Sequence, residues 1–187
     1  VHRNMSFQKS LYRLLDTFFK RRNIGNNYLT RWTISKTLRL YLHHFKHSDH
    51  DVMHDHPWNY VSLILWGGYY ECAKEQGFID WYGPGSILWR PAEWIHKIIL
   101  SADRWNVLTE AWTLVWLGTR RRMWGFHCLN GFKPWKEFFA DNGCPERPAH
   151  HYSVPESKLV PLVTKLIDCG ELKNGDELVI TWTEEIP

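Results

Sequence analysis

Several familiar sequence features are missing from this chain of 187 residues. No apolar run approaches the roughly 18 residues that a membrane-spanning helix needs, and no apolar signal segment follows the first residues. The four cysteines include no Cys-x-x-Cys pair, which argues against a zinc-finger spacing and against a disulfide-based scaffold. We therefore expect a cytoplasmic protein whose cysteines are reduced thiols.

Motifs of several large enzyme classes are also absent. The sequence contains no Gly-rich phosphate loop, no Gly-x-Ser-x-Gly nucleophile elbow and no His-Glu-x-x-His helix. The formal net charge is only +3, although residues 1–46 contain ten Lys and Arg and a single acid. This basic segment could meet a nucleic acid or a phosphate, or it could pack near the acidic C-terminus of its own or a neighbouring chain. We favour the interpretation in which the segment packs against protein, so nucleic acid is the less expected partner.

Tryptophan and histidine are, by contrast, abundant. The chain has 12 Trp and 11 His, and six of the histidines lie within the 14 residues from His43 to His56. Four tryptophans fall in apolar stretches typical of strands, where they are expected to pack in the core or between sheets: Trp66, Trp89, Trp112 and Trp116.

Apolar spacing predicts a mainly β fold with an N-terminal helix over residues 6–22. From Trp32 to about Trp116, short apolar strands broken by Gly and Pro indicate an antiparallel sandwich or barrel. We predict one domain, with a basic helix and loop over 1–31, a barrel core over 32–118 and a C-terminal extension over 119–187. That extension is expected to contain short helices at 132–140 and around 159–167, an irregular loop at 141–152, and a last strand over 178–183.

Two histidines and a third one downstream form the most informative pattern. His54 and His56 are two residues apart, so on a strand both imidazoles point the same way and can reach one metal ion. The same parity places Tyr60 on that face. His96 follows a Gly-Pro-Gly turn on another apolar stretch and supplies a candidate third ligand.

This spacing resembles the two motifs of the cupin superfamily. The first cupin motif is His-x-His-x(3–4)-Glu-x(6)-Gly, and here Tyr60 stands at the Glu position while Gly67 keeps the register. The second motif is Gly-x(5)-Pro-x-Gly-x(2)-His-x(3)-Asn. It is matched by Gly85, Pro91 and His96, with Glu93 and Leu100 as departures. The resemblance covers about residues 35–118 and implies a small antiparallel β-barrel with a metal in its mouth.

The missing carboxylate leaves a ligand set of three histidines, His54, His56 and His96. This set resembles the thiol dioxygenases of the cysteine dioxygenase type, which use Fe(II) and bind the substrate directly. The resemblance implies an enzyme acting with O2 on a small organic substrate, a thiol or an aromatic carboxylate, with Tyr60 beside the metal as hydrogen-bond donor or acid. Because histidine ligands suit several metals, Zn, Mn and Ni remain open.

Four further residues are candidates for substrate binding. Arg39 and Tyr41 lie on the strand before the histidine pair, with side chains on one face, and could hold a carboxylate. Trp58 and Trp94 could form a dry aromatic wall near the metal. His127, in the segment Trp-Gly-Phe-His, could orient a ligand or enter the pocket from a late strand. The exposed faces of such barrels often pair, so a homodimer is also expected.

Three alternatives remain open on the sequence alone. His47-x-Asp49 with a distant histidine such as His127 mimics the metal triad of 2-oxoglutarate oxygenases. A metal-dependent isomerase or hydrolase could use the same barrel. A non-catalytic barrel that binds a ligand or a partner would also be compatible with the missing Glu.

Overall fold

The computed structural model describes residues 2–25, 28–49, 52–73, 78–100, 110–128, 130–144, 150–154 and 178–182. Its elements in chain order are α1 His2–Phe18, β1 Lys20–Ile24, β2 Leu29–Ser35, β3 Leu40–Phe45, β4 Tyr60–Trp66, β5 Tyr69–Ala73, β6 Phe78–Tyr82, β7 Ile87–Arg90, β8 His96–Ile99, β9 Ala111–Leu117, β10 Gly125–Cys128, β11 Gly131–Pro134, α2 Trp135–Ala140, β12 His150–Val154 and β13 Leu178–Trp182. Over the ranges just given, no helix combines the length and apolar character that a membrane crossing requires.

The strands form one large sheet and three small ones. The large sheet has the order β1-β2-β3-β9-β4-β7, a three-stranded sheet has the order β6-β5-β8, and β10 pairs with β11. All of these neighbours are antiparallel, whereas β12 and β13 form a parallel pair. The predicted mainly β, antiparallel fold with an N-terminal helix and a short later helix is confirmed.

The core lies between the large sheet and the three-stranded sheet. Because side chains alternate along a strand, each of β3, β4 and β9 sends every second residue inward. On β4, the side chains of Ser62 and Ile64 are only 3% and 1% exposed, while Leu65 and Trp66 are exposed. Both sheets contribute to one apolar cluster: Leu29, Phe45, Ile64, Tyr69, Leu88, Ile98, Leu100 and Ala111. This cluster fills the space between the two sheets.

Helix α1 packs on the outer face of the large sheet. The ring of Tyr12 lies 4.8 Å from that of Trp32, edge to face, and Trp112 stacks on His44 at 4.2 Å. Asp16 accepts a hydrogen bond of 2.9 Å from the indole Nε1 of Trp32. These aromatic contacts fix the helix over β2, β3 and β9.

The predicted extent of the first helix is wrong at its end. The helix ends at Phe18, and residues 20–22, expected to complement its C-terminus, belong to the edge strand β1. Charged side chains are typical of edge strands because they discourage further pairing. The apolar helical spacing does not reveal this, since the strand is specified by its pairing with β2.

The strand tryptophans divide into two groups. Trp112 is buried under α1, as expected. Trp66, Trp89 and Trp116 are instead 59%, 60% and 48% exposed, so their prediction as core residues is wrong. They lie on the outer face of the large sheet, in the part that α1 does not cover.

Two predictions for the C-terminal part need correction. The helix expected over 132–140 begins only at Trp135, because Gly131–Pro134 pairs with β10 as β11. The end of the loop expected at 141–152 is the strand β12, whose partner β13 confirms the predicted last strand. The helix expected around 159–167 lies outside the described residues.

A disulfide joins Cys128, at the end of β10, to Cys144, which follows α2. The expectation that the thiols are reduced is therefore wrong for this pair. The spacing of 16 residues carries no motif, and the hairpin and helix that bring the sulfurs together are tertiary features. Cys72 is buried on β5, and Cys169 lies outside the described residues.

Candidate metal centre

Backbone pairing brings the His-x-His segment to the third histidine. His54 and His96 exchange two backbone hydrogen bonds of 2.9 Å each, and the backbone N of His56 donates to Ala92 O at 3.0 Å. His54 sits in an isolated bridge, and β4 begins only at Tyr60. The segment before β4 is thus held against the start of β8, which carries His96.

The three imidazoles converge on one point. One ring nitrogen from each of His54, His56 and His96 lies within 4.8 Å of the others. The two Nε2 atoms of His56 and His96 are 2.8 Å apart, and each of the three pairs of ring centroids is separated by 5.0 Å. In the part of the chain that the structure describes, no other group of His, Cys, Asp and Glu converges in this way.

A buried carboxylate that the motif comparison missed lies directly behind His96. Glu71 on β5 is 4% exposed, and its Oε1 is 2.6 Å from His96 Nδ1. Arg90 forms a two-pronged ion pair with the same carboxylate, and the indole of Trp94 donates to it at 3.0 Å. Glu71 thereby directs Nδ1 of His96 toward itself and leaves Nε2 facing the other two histidines.

Sequence reasoning looked for this carboxylate at the position of Tyr60, where the cupin motif has a metal ligand. The sequence does contain one sign of Glu71, an acid within the apolar strand β5. An acid in such a strand is expected to be buried, and a buried carboxylate needs a polar partner. Its partners come from β7 and β8, which the local sequence of β5 does not identify.

A second carboxylate lies behind His54. Asp49 Oδ2 is 3.9 Å from His54 Nδ1, and Nδ1 itself is buried without a hydrogen-bond partner. Asp49 is fixed by the backbone N of Ile98 at 2.6 Å and by the hydroxyl of Tyr28. These bonds hold the Asp49 carboxylate close to the buried Nδ1 of His54.

The residue between the two motif histidines anchors the segment to β10. Asp55 is fully buried and accepts the backbone N–H of Gly125 at 2.9 Å. It also forms an ion pair with Arg122 at 3.0 Å and lies within hydrogen-bond distance, 3.2 Å, of His127 Nε2. His127 therefore contacts Asp55 and does not join the three-histidine group, so it can affect the ligands only through this anchor.

Burial lowers the pKa of two histidines of the group and keeps them neutral. It lowers the pKa of His54 to about 4, with partial opposition from Asp49. Burial, followed by the neighbouring histidines, lowers the pKa of His56 well below the usual value. At Glu71, burial raises the pKa, but the hydrogen bonds from His96 and Arg90 outweigh it and bring the pKa to about 2. The site thus combines the two neutral imidazoles of His54 and His56 with the ionised carboxylate of Glu71 beside His96.

Tyr60 lies beside the histidines, as predicted. Its hydroxyl is 3.4 Å from His96 Nε2, and its ring centroid is 4.9 Å from that of His56. Burial raises the pKa of Tyr60 well above its ordinary value, and the nearby Glu71 adds to this effect. The phenol therefore keeps its proton and can donate a hydrogen bond into the site.

The structure separates Arg39 from Tyr41. Arg39 lies in the turn before β3 with a φ of 53°, and it borders an outer groove with Trp89 and Trp116. Tyr41 faces the barrel interior, where its ring lies below the guanidinium of Arg31. Strand alternation does not extend back to Arg39 because the positive φ redirects the chain before β3 begins at Leu40.

The two predicted wall residues have different positions. Trp94 lies behind His96, bound to Glu71 and packed 4.7 Å below the guanidinium of Arg90, so it supports the ligand. Trp58 is half-buried in the segment between His56 and β4. A role in substrate binding stays a prediction for both.

The triad expected of a 2-oxoglutarate oxygenase is not assembled. Asp49 binds the backbone of Ile98 and the hydroxyl of Tyr28, His47 is exposed, and His127 binds Asp55. These three residues do not form a ligand cluster within the described ranges.

The chemistry of the donor set fits a divalent transition metal. Three imidazole nitrogens converge, and imidazole is a good ligand for Fe, Zn, Ni and Cu. At His96 the Glu71 carboxylate binds the opposite nitrogen, an arrangement that fixes ring orientation in metal sites. The close approach of the Nε2 atoms of His56 and His96 is relieved when a cation occupies the convergence point.

Comparison with known proteins finds similar structures and no similar sequences. No protein-family model matches the chain, and no curated protein matches it. Among solved structures, the chain is similar to the polyketide cyclase RemF from Streptomyces resistomycificus. The identity is 18%, the match covers 66% of this chain and 89% of that one, and the TM-score is 0.44.

Two other similar structures have lower sequence identity. A cupin-like protein from Thermotoga maritima is 11% identical, with 68% of this chain and 98% of that chain covered and a TM-score of 0.41. Fe(II) HppE is 11% identical, with 54% and 56% covered and a TM-score of 0.42. All three TM-scores are below 0.5, so the chemistry of the site has to follow from its own residues.

Proposed function

We propose that this protein is a metal-dependent enzyme, and specifically an Fe(II) dioxygenase acting on a small organic substrate that carries a thiol or a carboxylate. The convergence of three imidazoles within 4.8 Å carries the proposal. Among the described residues no carboxylate joins this group, so a bound divalent ion would keep its full charge. An anionic substrate that binds next to the ion supplies the missing negative charge.

His54, His56 and His96 would hold the metal. When bound, Fe(II) supplies the binding and activation of O2 beside the substrate. Three ligands on one face leave positions for both reactants, and a structural site would instead be closed by a fourth protein ligand.

The remaining residues of the site orient ligands and hold protons. Glu71 keeps the proton of His96 on Nδ1, so the lone pair of Nε2 faces the metal position. Arg90 and Trp94 hold the Glu71 carboxylate in place. Tyr60 offers a protonated hydroxyl near His96 Nε2, from which a hydrogen bond to a substrate atom or a proton transfer is available.

The test is oxygen uptake by protein loaded anaerobically with Fe(II), measured against a set of small thiols and aromatic carboxylic acids. We expect turnover by the unaltered protein, loss of turnover and of iron in His96→Ala, and both retained in His47→Ala. His47 is an exposed histidine outside the group and provides the matched control. Tyr60→Phe should keep its iron and lose most of the rate.

The outcomes distinguish the proposal from the alternatives. Iron binding without oxygen uptake by any substrate would contradict the dioxygenase assignment. Tightly held Zn or Mn with O2-independent turnover would instead indicate an isomerase or hydrolase. A protein that binds no metal would be a ligand-binding barrel.

A further inference from the structure

An arginine inside the barrel has no acidic partner among the described residues. Arg31 on β2 is paired in register with His43 on β3, and both side chains are on the inner face. Its Nε donates a hydrogen bond of 2.9 Å to His43 Nε2, and its guanidinium carbon is 5.0 Å from the centroid of the Tyr41 ring. Neither contact involves the two terminal amino groups of the guanidinium, so both can donate hydrogen bonds to a ligand.

Other arginines around the site are neutralised. Arg90 is paired with Glu71, and Arg122 with Asp55. Arg31 has no such ion pair, and burial followed by the nearby Arg22 lowers its pKa. A half-buried guanidinium without a counter-ion is unfavourable, so this position needs an anion that is not among the described residues.

The position of Arg31 connects it to the candidate metal centre. Tyr41, which the guanidinium covers, lies opposite Val115, and Val115 lies opposite Ser62 on β4. Tyr60 is two residues from Ser62 on the same inner face, and its ring contacts that of His56. The guanidinium of Arg31 and the three histidines therefore face the same interior space of the barrel, which we call the chamber.

We propose that Arg31 binds the carboxylate of a small substrate whose other end reaches the three-histidine centre. The claim that the other end of the substrate reaches the three-histidine centre rests on the proposed function. The claim that Arg31 binds a carboxylate does not. Arginine presents two parallel N–H donors that match the two oxygens of a carboxylate. His43 is neutral because burial and the charge of Arg31 lower its pKa, so one positive charge faces the ligand.

A carboxylate fits this environment better than a phosphate does. A phosphate brings up to two negative charges into a chamber that already contains Glu71 and Asp49, both behind metal-ligand histidines. A single guanidinium neutralises one charge. The carboxylate expected for the substrate was assigned to Arg39 from the sequence, and the structure assigns it to Arg31.

The test compares ligand affinity in Arg31→Gln and in a matched control. Arg13 on α1 is exposed, and α1 packs on the outer face of the large sheet, so Arg13→Gln removes the same charge outside the chamber. The probes are acetate and benzoate, with benzamide as the neutral match of benzoate and inorganic phosphate as the competing anion. Calorimetric titrations are made on metal-free protein and on protein loaded with Zn(II).

We expect at least one carboxylate to bind and its affinity to fall by about 10- to 100-fold in Arg31→Gln, as for loss of a charged hydrogen bond. Affinity should change less than about twofold in Arg13→Gln, and benzamide should not bind. Without ligand, Arg31→Gln should unfold at the same temperature as the unaltered protein or a higher one, because it removes an unpaired charge. A purely structural arginine would make that variant less stable.

Each other outcome overturns part of the inference. No binding of either carboxylate, or equal binding by Arg31→Gln, would exclude the site. Phosphate binding that depends on Arg31 and exceeds that of carboxylates would exclude the ligand class. Arg31-dependent carboxylate binding by a protein that holds no metal would leave this site standing and remove the proposed function.

Discussion

Glu71 determines which nitrogen of His96 is available to a metal. The carboxylate lies 2.6 Å from Nδ1, and the Arg90 guanidinium and the Trp94 indole hold it there. In metal sites such an outer carboxylate fixes the tautomer and the ring orientation of the ligand, and its loss weakens binding without removing a ligand.

Glu71→Gln should therefore bind metal about 10- to 100-fold more weakly than the unaltered protein while still binding one ion per chain. The amide keeps the size of the side chain but loses the charge that faces His96 and Arg90. Competition with a chelator of known affinity measures the change, and Glu137→Gln, on the exposed side of α2, is the control. Equal affinities in the two variants would remove Glu71 from the site.

The buried histidines also make the metal-free protein sensitive to acid. His54 has a pKa of about 4 in the folded chain and 6.5 in an ordinary environment, so the unfolded chain binds the proton more readily. Stability should thus be complete above pH 6.5 and fall as the pH decreases toward 4. The loss is roughly 3 kcal/mol from this residue.

Urea unfolding of metal-free protein between pH 7.5 and 4.5, about the range of this titration, gives the measurement. His54→Gln should flatten the curve, whereas His47→Gln should leave its slope unchanged because His47 is exposed. A curve for the unaltered protein that is flat across this range would contradict the neutral, buried state of His54.

At the scale of elements, the hairpin β10–β11 supports the metal centre from outside the barrel sheets. The backbone of β10 bonds to Asp55, and His54 forms a bridge to Phe126. Gly125 makes this approach possible, since a Cβ there would lie 2.2 Å from Lys133 O. A methyl group at this position must displace backbone.

Gly125→Ala should destabilise the protein by roughly 1–3 kcal/mol and also weaken metal binding, because the displaced strand carries the anchor of Asp55. Gly83→Ala is the control, since its Cβ would meet only the side chain of Trp81, at 3.2 Å. Thermal unfolding and chelator competition measure the two effects. A variant with lower stability and unchanged metal affinity would show that β10 does not position the ligands.

The disulfide adds a second constraint on the same hairpin. Cys128 ends β10, and the bond to Cys144 closes a loop of 16 residues. In the chain-entropy model a loop of about this length contributes roughly 3 kcal/mol. Cys144→Ser should lower the free energy of unfolding by about that amount under oxidising conditions and leave it unchanged in the presence of a reductant. Equal losses under both conditions would assign the effect to packing and not to the bond.

The elements and the ligands differ in how far the sequence predicts them. The three histidines follow from spacing, because alternation along the chain and the second motif are local patterns. Glu71 and Arg31 do not, since each acts through residues on other strands and its own neighbours in sequence give no sign of that. Arg39 does not share the face of Tyr41 for a related reason, because a positive φ ends the alternation one residue before β3, and its role in substrate binding stays a prediction.

At the scale of the whole molecule, the two faces of the large sheet have separate roles. Its inner face contributes Tyr60, Arg31 and part of the apolar cluster that it shares with the three-stranded sheet. Its outer face is covered by α1 over β2, β3 and β9, and leaves Trp66, Trp89 and Trp116 exposed elsewhere. The expected homodimer stays a prediction, which sedimentation of the purified protein can examine.

The central claim is that His54, His56 and His96 form one metal site. The most direct measurement is elemental analysis of untagged protein after anaerobic loading with Fe(II) and removal of free metal, for the unaltered chain, His96→Ala and His47→Ala. We predict about one metal ion per chain in the unaltered protein and in His47→Ala, and less than about a tenth of that in His96→Ala. Absence of metal from the unaltered protein, or an undiminished ion in His96→Ala, would contradict the account.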